Sequence, residues 1–327
     1  MNGKGLWEML KATASDWSED KASRLAAALA FYTLLSLAPL LVIAVSVAGL
    51  VFGDDAARGQ IAQQIGGLVG PEAGKAIEEV LAHAGDRPTA GIVSTVIGLF
   101  VLLFSASGVF GELQDSLNTI WEVEPRPGRG VMGLLRDRFF SFTMVLGVAF
   151  LLLVSLVASA GLASLGHGLE QALPGGKTVW QVLNFVLSLG VVTGLFALIY
   201  KVIPDAKVAW RDVGIGAFVT ALLFTLGKFA IGLYLGHSTV ASAYGAAGSV
   251  VVITVWVFYS AQILFLGAEF TQVYAQRRGS RIVPTANAIP VTAEARAQQG
   301  MPSDEDRARG IAVSSPGPSS NRRAAQG

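Results

Sequence analysis

Six stretches of the chain stay apolar far longer than a soluble core element needs: Leu25–Phe52, Ala90–Gly111, Phe139–Gly166, Thr178–Tyr200, Gly214–Gly236 and Ser249–Ala275. About 20 helical residues at about 1.5 Å each cross the ~30 Å hydrocarbon layer of a bilayer. Each stretch is bounded by charge, proline or glycine, and lipid offers a bare backbone amide no partner, so each is expected as a helix. The pattern predicts an all-α, polytopic transmembrane bundle of six spans. The first and third, at 28 residues each, are long enough to tilt or to continue past the bilayer. Pro39 inside the first lacks an amide proton and is expected to kink it.

The intervals carry weaker patterns. Leu6, Trp7, Leu10, Ala14 and Trp17 share one helical face with Lys4 and Lys11 nearby. Gly5–Trp17 therefore reads as an amphipathic helix in the inner interface, within an N-terminal tail over 1–24. The interval 54–88 has two amphipathic stretches, one marked by Ile61, Ile65, Leu68 and Val69, the other by Ile77, Val80 and Leu81, with Gly70-Pro71 between them. It reads as an extracytoplasmic helical hairpin, either a cap over the bundle or a partner surface. After the second span, Leu113, Leu117, Ile120 and Trp121 recur at helical spacing while Glu112, Asp115 and Glu122 take the other face. That face is a solvated or salt-bridged surface in one reading and a gatherer of cations in another. Residues 276–327 are polar and rich in Ala, Gln, Ser, Gly and Pro without a period, so a disordered cytoplasmic tail is expected.

Composition narrows the class. Hydrophobic residues make up 52% of the 327 and charged ones only 14%, against about 25% charged in soluble domains. Mean hydropathy is +0.55. An ordinary water-soluble enzyme is excluded on this ground. Net charge is +1, so no global basic field exists to hold nucleic acid. Cysteine is absent, which removes disulfides, thiol catalysis and Cys-containing zinc sites. Met1–Arg24 balances four basic against four acidic residues and leads into too long an apolar run for a signal peptide. Of the 24 Lys and Arg, 19 fall in the N-terminal tail, the second and fourth intervals and the C-terminal tail, and four on the opposite side. By the positive-inside rule both termini are expected in the cytoplasm.

Charge inside a span is costly and raises a functional hypothesis. Lys228 lies in the fifth span and Glu269 in the sixth, separated in depth by about 12 residues or ~18 Å. They are not expected to pair directly; Arg24 or Arg211 is the expected partner of Glu269. Two roles stay open for each charge: a static one, by snorkelling or ion pairing, and a place on a solute or proton path. His83, His167 and His237 show no zinc-ligand spacing, and no nucleophile with a partnering base stands out. No catalytic residue, metal or cofactor is assigned. Glycine pairs at i, i+4 occur at about the frequency that this glycine content gives by chance, so they are no signal of a dimer.

The motifs AALAFYTLLSLAPL (Ala27–Leu40), GVFGELQDSLNTIWEV (Gly108–Val123), Trp210-Arg211-Asp212, KFAIGLYLG (Lys228–Gly236) and SAYGAAGSVVVITVWVFYSAQILFLGAEF (Ser242–Phe270) occur in this order. From about Trp17 to Tyr274 the chain resembles the YihY/BrkB family of bacterial inner-membrane proteins. The resemblance implies a multi-pass protein of the bacterial inner membrane, linked by family name to virulence and without an established substrate. It also brings an old family label, ribonuclease BN, that no nuclease constellation here supports. The family's recurrent polar positions would map onto Tyr32, Pro39, Asn118, Trp121, Arg211, Asp212, Lys228, Tyr244 and Glu269. Lys228 and Glu269 are the candidate intramembrane functional residues; Tyr32, Pro39, Asn118, Arg211, Asp212 and Tyr244 are candidate supporting groups.

A transporter- or exporter-like protein of unknown substrate is the leading expectation, although no inverted repeat relates the two halves. A non-transport protein that organises the envelope or binds a partner is the alternative. The expected partners are the lipid bilayer and an unidentified solute or lipid, with no nucleic acid; a homo-oligomer stays open.

Overall fold

A computed structural model of the chain describes residues 3–53, 59, 61, 63, 78, 108–127, 176–237, 248–298 and 301. The described elements are helices α1 (Gly3–Glu19), α2 (Ala22–Phe52), α3 (108–120), α4 (Gly176–Val202), α5 (Trp210–His237), α6 (Gly248–Arg278) and α7 (Ala293–Gln298), and short strands β1 (Val123–Pro125), β2 (Ala206–Lys207), β3 (Val283–Pro284) and β4 (Ala288–Pro290). Three segments, Asn184–Val202, Trp210–Leu235 and Val250–Arg278, are long and apolar enough to cross a membrane. They coincide with the fourth, fifth and sixth expected spans. The first coincides with α2, which continues as helix through position 39. The third span, all but the end of the second and most of the 54–88 hairpin lie outside the described residues.

Small residues let these helices approach. The main core joins Ala22 and Ala26 of α2, Ala217 and Ala221 of α5, and Ala261, Ala268 and Ala275 of α6 with Phe196, Tyr200 and Phe265. Without a hydrophobic drive between helices in lipid, such close backbone contact is what holds them. The outward face of α5 carries Phe218, Leu222, Leu226, Phe229 and Leu233, all exposed. That apolar stripe at helical spacing would be a liability in water and is what a membrane helix presents.

The largely helical character is as expected, and two details differ among the described residues. The molecule is helical but not purely so, because β1 pairs antiparallel with β4 and β2 with β3. Within the segment expected to be disordered, residues 276–298 are ordered: α6 runs on to Arg278, and β3, β4 and α7 follow. Its two strands do not pair with each other. They take edges offered by loops more than 70 residues earlier in the chain, a relation that composition does not carry.

Candidate functional site

The C-terminal segment builds a clasp that joins every described junction at one end of the bundle. Val123↔Pro290, Glu124↔Ile289 and Pro125↔Ala288 pair it to the chain just after α3. Ala206↔Pro284 and Lys207↔Val283 pair it to the α4–α5 loop. Two further backbone bonds extend these ladders, from Val291 N–H to the Glu122 carbonyl at 3.0 Å and from Thr285 N–H to the Asp205 carbonyl at 2.9 Å.

Arg296 is the polar centre of this clasp. Its Nη2 donates to Asp20 Oδ1 at 2.8 Å and its Nη1 to Glu122 Oε1 at 3.2 Å. The side chains of Arg296 and Asp20 are 6% and 3% exposed, so this is a buried pair, whereas Glu122 is 27% exposed. Nearby, Asn118 Nδ2 donates to Asp205 Oδ2 at 3.2 Å, and its Oδ1 accepts from Asp205 N–H at 2.7 Å. Asp212 Oδ2 accepts from the Ser280 N–H at 2.8 Å and hydroxyl at 2.9 Å. Gly279 permits that approach, since a Cβ there would collide with the Asp212 carboxylate. Among the described residues, the non-glycine ones with left-handed backbone are Lys21 (φ 54°), Glu122 (φ 54°) and Arg281 (φ 61°). All three lie in this layer, and each such residue costs about 1–2 kcal/mol that surrounding contacts must offset.

Deeper in the bundle the polar groups serve helix packing. The Tyr200 hydroxyl donates to the Leu264 carbonyl at 2.7 Å and lies 3.1 Å from Thr220 Oγ1. Gln262 Nε2 donates to Ser23 Oγ at 2.9 Å, joining α6 to α2. Gly216 and Thr220 on α5 face Thr271 and Gly267 on α6, and a Cβ on either glycine would overlap the opposing threonine. Each threonine hydroxyl donates to the carbonyl of its own helix's glycine, at 2.7 Å for Thr220→Gly216 and 2.6 Å for Thr271→Gly267. An aromatic chain runs through the interior from Trp121 to Tyr200 (5.7 Å between centroids), Phe196 (6.2 Å), Phe224 (5.6 Å) and Trp256 (6.1 Å).

The structure separates Lys228 and Glu269. Thr220 lies opposite Gly267 and Gly227 opposite Ile263, so the antiparallel register sets Lys228 about seven residues, or ~11 Å, from Glu269 along the axes. Glu269 is fully buried at 0% exposure on α6. Lys228 is half-buried, its Nζ 5.8 Å from the Phe229 ring centroid. Arg24 and Arg211, the expected partners of Glu269, are both exposed.

The supporting residues scatter. Asn118, Trp121 and Asp212 are buried in or beside the clasp. Tyr32 is exposed on α2, its ring 6.0 Å from that of Phe31 and close to Gly108. Tyr244 and the Pro39 side chain lie outside the described residues. The face predicted on α3 by Leu113, Leu117, Ile120 and Trp121 is buried as expected. On its other side Asp115 is exposed and Glu122 is salt-bridged to Arg296. Burial, with Asp115 adding to it, raises the Glu112 carboxyl above its ordinary value. Sequence reasoning missed Asp20, Asp205 and Arg296, and the Gly-x-x-x-Thr pairs of α5 and α6. The spacing of the latter was visible, but a search for glycine alone passes over them.

A family profile described as "Virulence factor BrkB" matches residues 13–290. Among curated relatives, a UPF0761 membrane protein of Tolumonas auensis is 32% identical over 257 residues, covering 77% of this chain and 80% of its own. One of Psychrobacter sp. is 25% identical over 93% of this chain and 56% of its own. One of Pseudomonas paraeruginosa is 29% identical over 80% and 61%. The chain thus spans four fifths of the first relative's length and less than two thirds of the latter two. No solved structure matches. The match covers α1 from Thr13, the three membrane-length helices α4, α5 and α6 and the strands of the clasp, and on that ground the chain belongs to the BrkB family of membrane proteins.

Proposed function

We propose that this is a non-enzymatic, six-span protein of the bacterial inner membrane with both termini cytoplasmic, and that it acts as a transporter or exporter of a small solute or lipid. The observation that carries the transport reading is Glu269, a carboxylate with 0% exposure on a membrane-length helix. Such groups are expensive in a bilayer and mark solute or proton paths in membrane proteins. Tyr200, Thr220 and Gln262 line the same helix contacts with polar atoms. The six-span alternation is supported by the meeting of the α2 start, α3 end, α4 end, α5 start and α6 end at the clasp. Lys201, Lys207, Arg211, Arg277 and Arg278 lie at these same helix ends, which favours the cytoplasm for that side.

A second reading, a non-transport protein that organises the envelope or binds a partner, is favoured by Asn118 and Asp212. Both commit their side chains to closing the clasp. One experiment separates the two. The chain has no cysteine, so single Glu269→Cys and Lys228→Cys variants can be challenged with a membrane-impermeant maleimide in intact cells and in inverted vesicles. Labelling of position 269 from either side is expected, because a path needs water at that depth. Protection of both positions from both sides would overturn transport and favour the second reading.

A further inference from the structure

The N-terminal helix shows two different apolar surfaces. Met9 and Thr13 are buried; Met9 forms one cluster with Phe270 and Val273 of α6, and Ala12 of α1, Ile215 and Val219 of α5 and Tyr274 of α6 pack against it. Around the helix at about 100° per residue, the next residues are Leu6, Leu10 and Trp7, then Lys11 and Lys4, and last Ser15, Glu8 and Glu19. Trp7 is 70% exposed, and Leu6 and Leu10 are exposed beside it. One flank of α1 is therefore docked on protein, the adjoining flank is apolar and uncovered, a lysine edge follows, and Glu8 and Glu19 lie beyond it.

The level at which α1 docks gives that uncovered flank a position. Phe270 and Val273 lie eight and five residues before Arg278, the last residue of α6, about 12 and 8 Å along its axis. The helix therefore lies alongside the last turns of a membrane-length helix, not beyond its end. Trp210 itself is 59% exposed with Lys201 Nζ 5.7 Å from its ring, an arrangement typical of aromatic residues at a membrane–water boundary. Positive charge gathers at the same level. Lys4, Lys11, Arg277 and Arg278 are all exposed, and the Arg278 guanidinium reaches the first turn of α1, 2.7 Å from where a Cβ of Gly5 would stand.

We propose that the Leu6–Trp7–Leu10 flank of α1, with its Lys4, Lys11, Arg277 and Arg278 rim, is a docking surface for anionic phospholipid. The acyl–headgroup boundary takes the apolar side chains and lipid phosphates take the cations. An uncovered apolar band bordered by lysines, held parallel to the interface by its other flank, is the form of an interfacial helix. Each lysine near an anionic surface contributes about five-fold to partitioning. The proposal concerns the leaflet at the clasp end and holds whichever side of the cell that end faces.

The test uses the full chain in nanodiscs with a nitroxide on a single Leu10→Cys or, on the polar face, Ser15→Cys. The discs hold phosphatidylcholine alone or mixed with phosphatidylglycerol. Accessibility to oxygen and to a water-soluble nickel complex reports depth. In the mixed discs position 10 is expected to be open to oxygen and several-fold less open to nickel than position 15. The contrast should weaken in phosphatidylcholine alone. Lys4→Glu with Lys11→Glu should abolish the dependence on phosphatidylglycerol, and the milder Lys4→Gln with Lys11→Gln should move it in the same direction. Both lysines are exposed, so neither pair threatens folding. Equal nickel access at 10 and 15 would overturn the proposal by showing a water-facing surface. Shielding of position 10 from both reagents would overturn it by showing a protein cover, such as a second copy. A contrast indifferent to headgroup and to the lysines would overturn the anionic recognition.

Discussion

The clasp and the α5–α6 crossing hold the same helices by opposite means. In the clasp, strands two and three residues long, a buried Arg296–Asp20 pair and three left-handed residues are tied together by hydrogen bonds. At the crossing, Gly216, Thr220, Gly267 and Thr271 interlock by shape, and each threonine hydroxyl is satisfied within its own helix. The contrast shows what each solvent permits. Irregular backbone needs partners for its amides and is built where water and polar loops supply them; within the apolar layer the backbone bonds to itself and only surface shape is left to choose neighbours.

The sharpest way to break the clasp is Arg296→Ala. It leaves Asp20 buried without its guanidinium and is expected to cost about 3–5 kcal/mol. Thermal unfolding in detergent, with protease cleavage in 279–298, measures it. Glu122→Gln should cost much less, because Glu122 is more exposed. If Arg296→Ala melted α5 and α6 at the same temperature as the clasp, the two regions would be one cooperative unit.

The crossing should fail differently. Gly267→Ala places a methyl against Thr220 Oγ1 and 2.7 Å from Tyr200 Oη, an overpacking expected to cost about 1–3 kcal/mol. Adding Thr220→Ala should recover part of that loss, so a double-mutant cycle should show coupling. Additive losses would remove the interlock as the explanation.

Asn118→Ala comes next. It strips the Asp205 N–H and carboxylate of a partner and is expected to cost about 1–2 kcal/mol, read as a lower unfolding midpoint.

The smallest effect concerns pH. Burial raises the folded-state titration of Glu112, so stability is fully present below its unfolded value and is lost as pH rises through the folded one. Glu112→Gln should therefore gain stability above the carboxylate range, gain none below it, and flatten the profile between. An equal gain at both ends would assign the effect to packing.

Much of the frame was legible because lipid imposes a rule on sequence. Apolar runs of sufficient length marked α4, α5 and α6 within a few residues, and 3.6-residue spacing found α1 and the buried face of α3. The candidate site was read less well. Glu269 and Lys228 were found as charges out of place, yet nothing local told that one is fully buried and the other only half. Arg296 stands in an Ala-rich polar stretch that has the composition of a loose tail. Its role rests on Asp20, 276 residues away in sequence.

The sequence alone determined the solvent, the helical character and the membrane-length segments, because burying a backbone in hydrocarbon leaves one local solution that a run of apolar residues spells out. The tertiary structure decided the order of residues 279–298, the register of α5 on α6 and the exposure of each charge. These depend on which distant edge, glycine or carboxylate meets a given residue, and a short polar strand or a lone arginine has no local energy that names its partner.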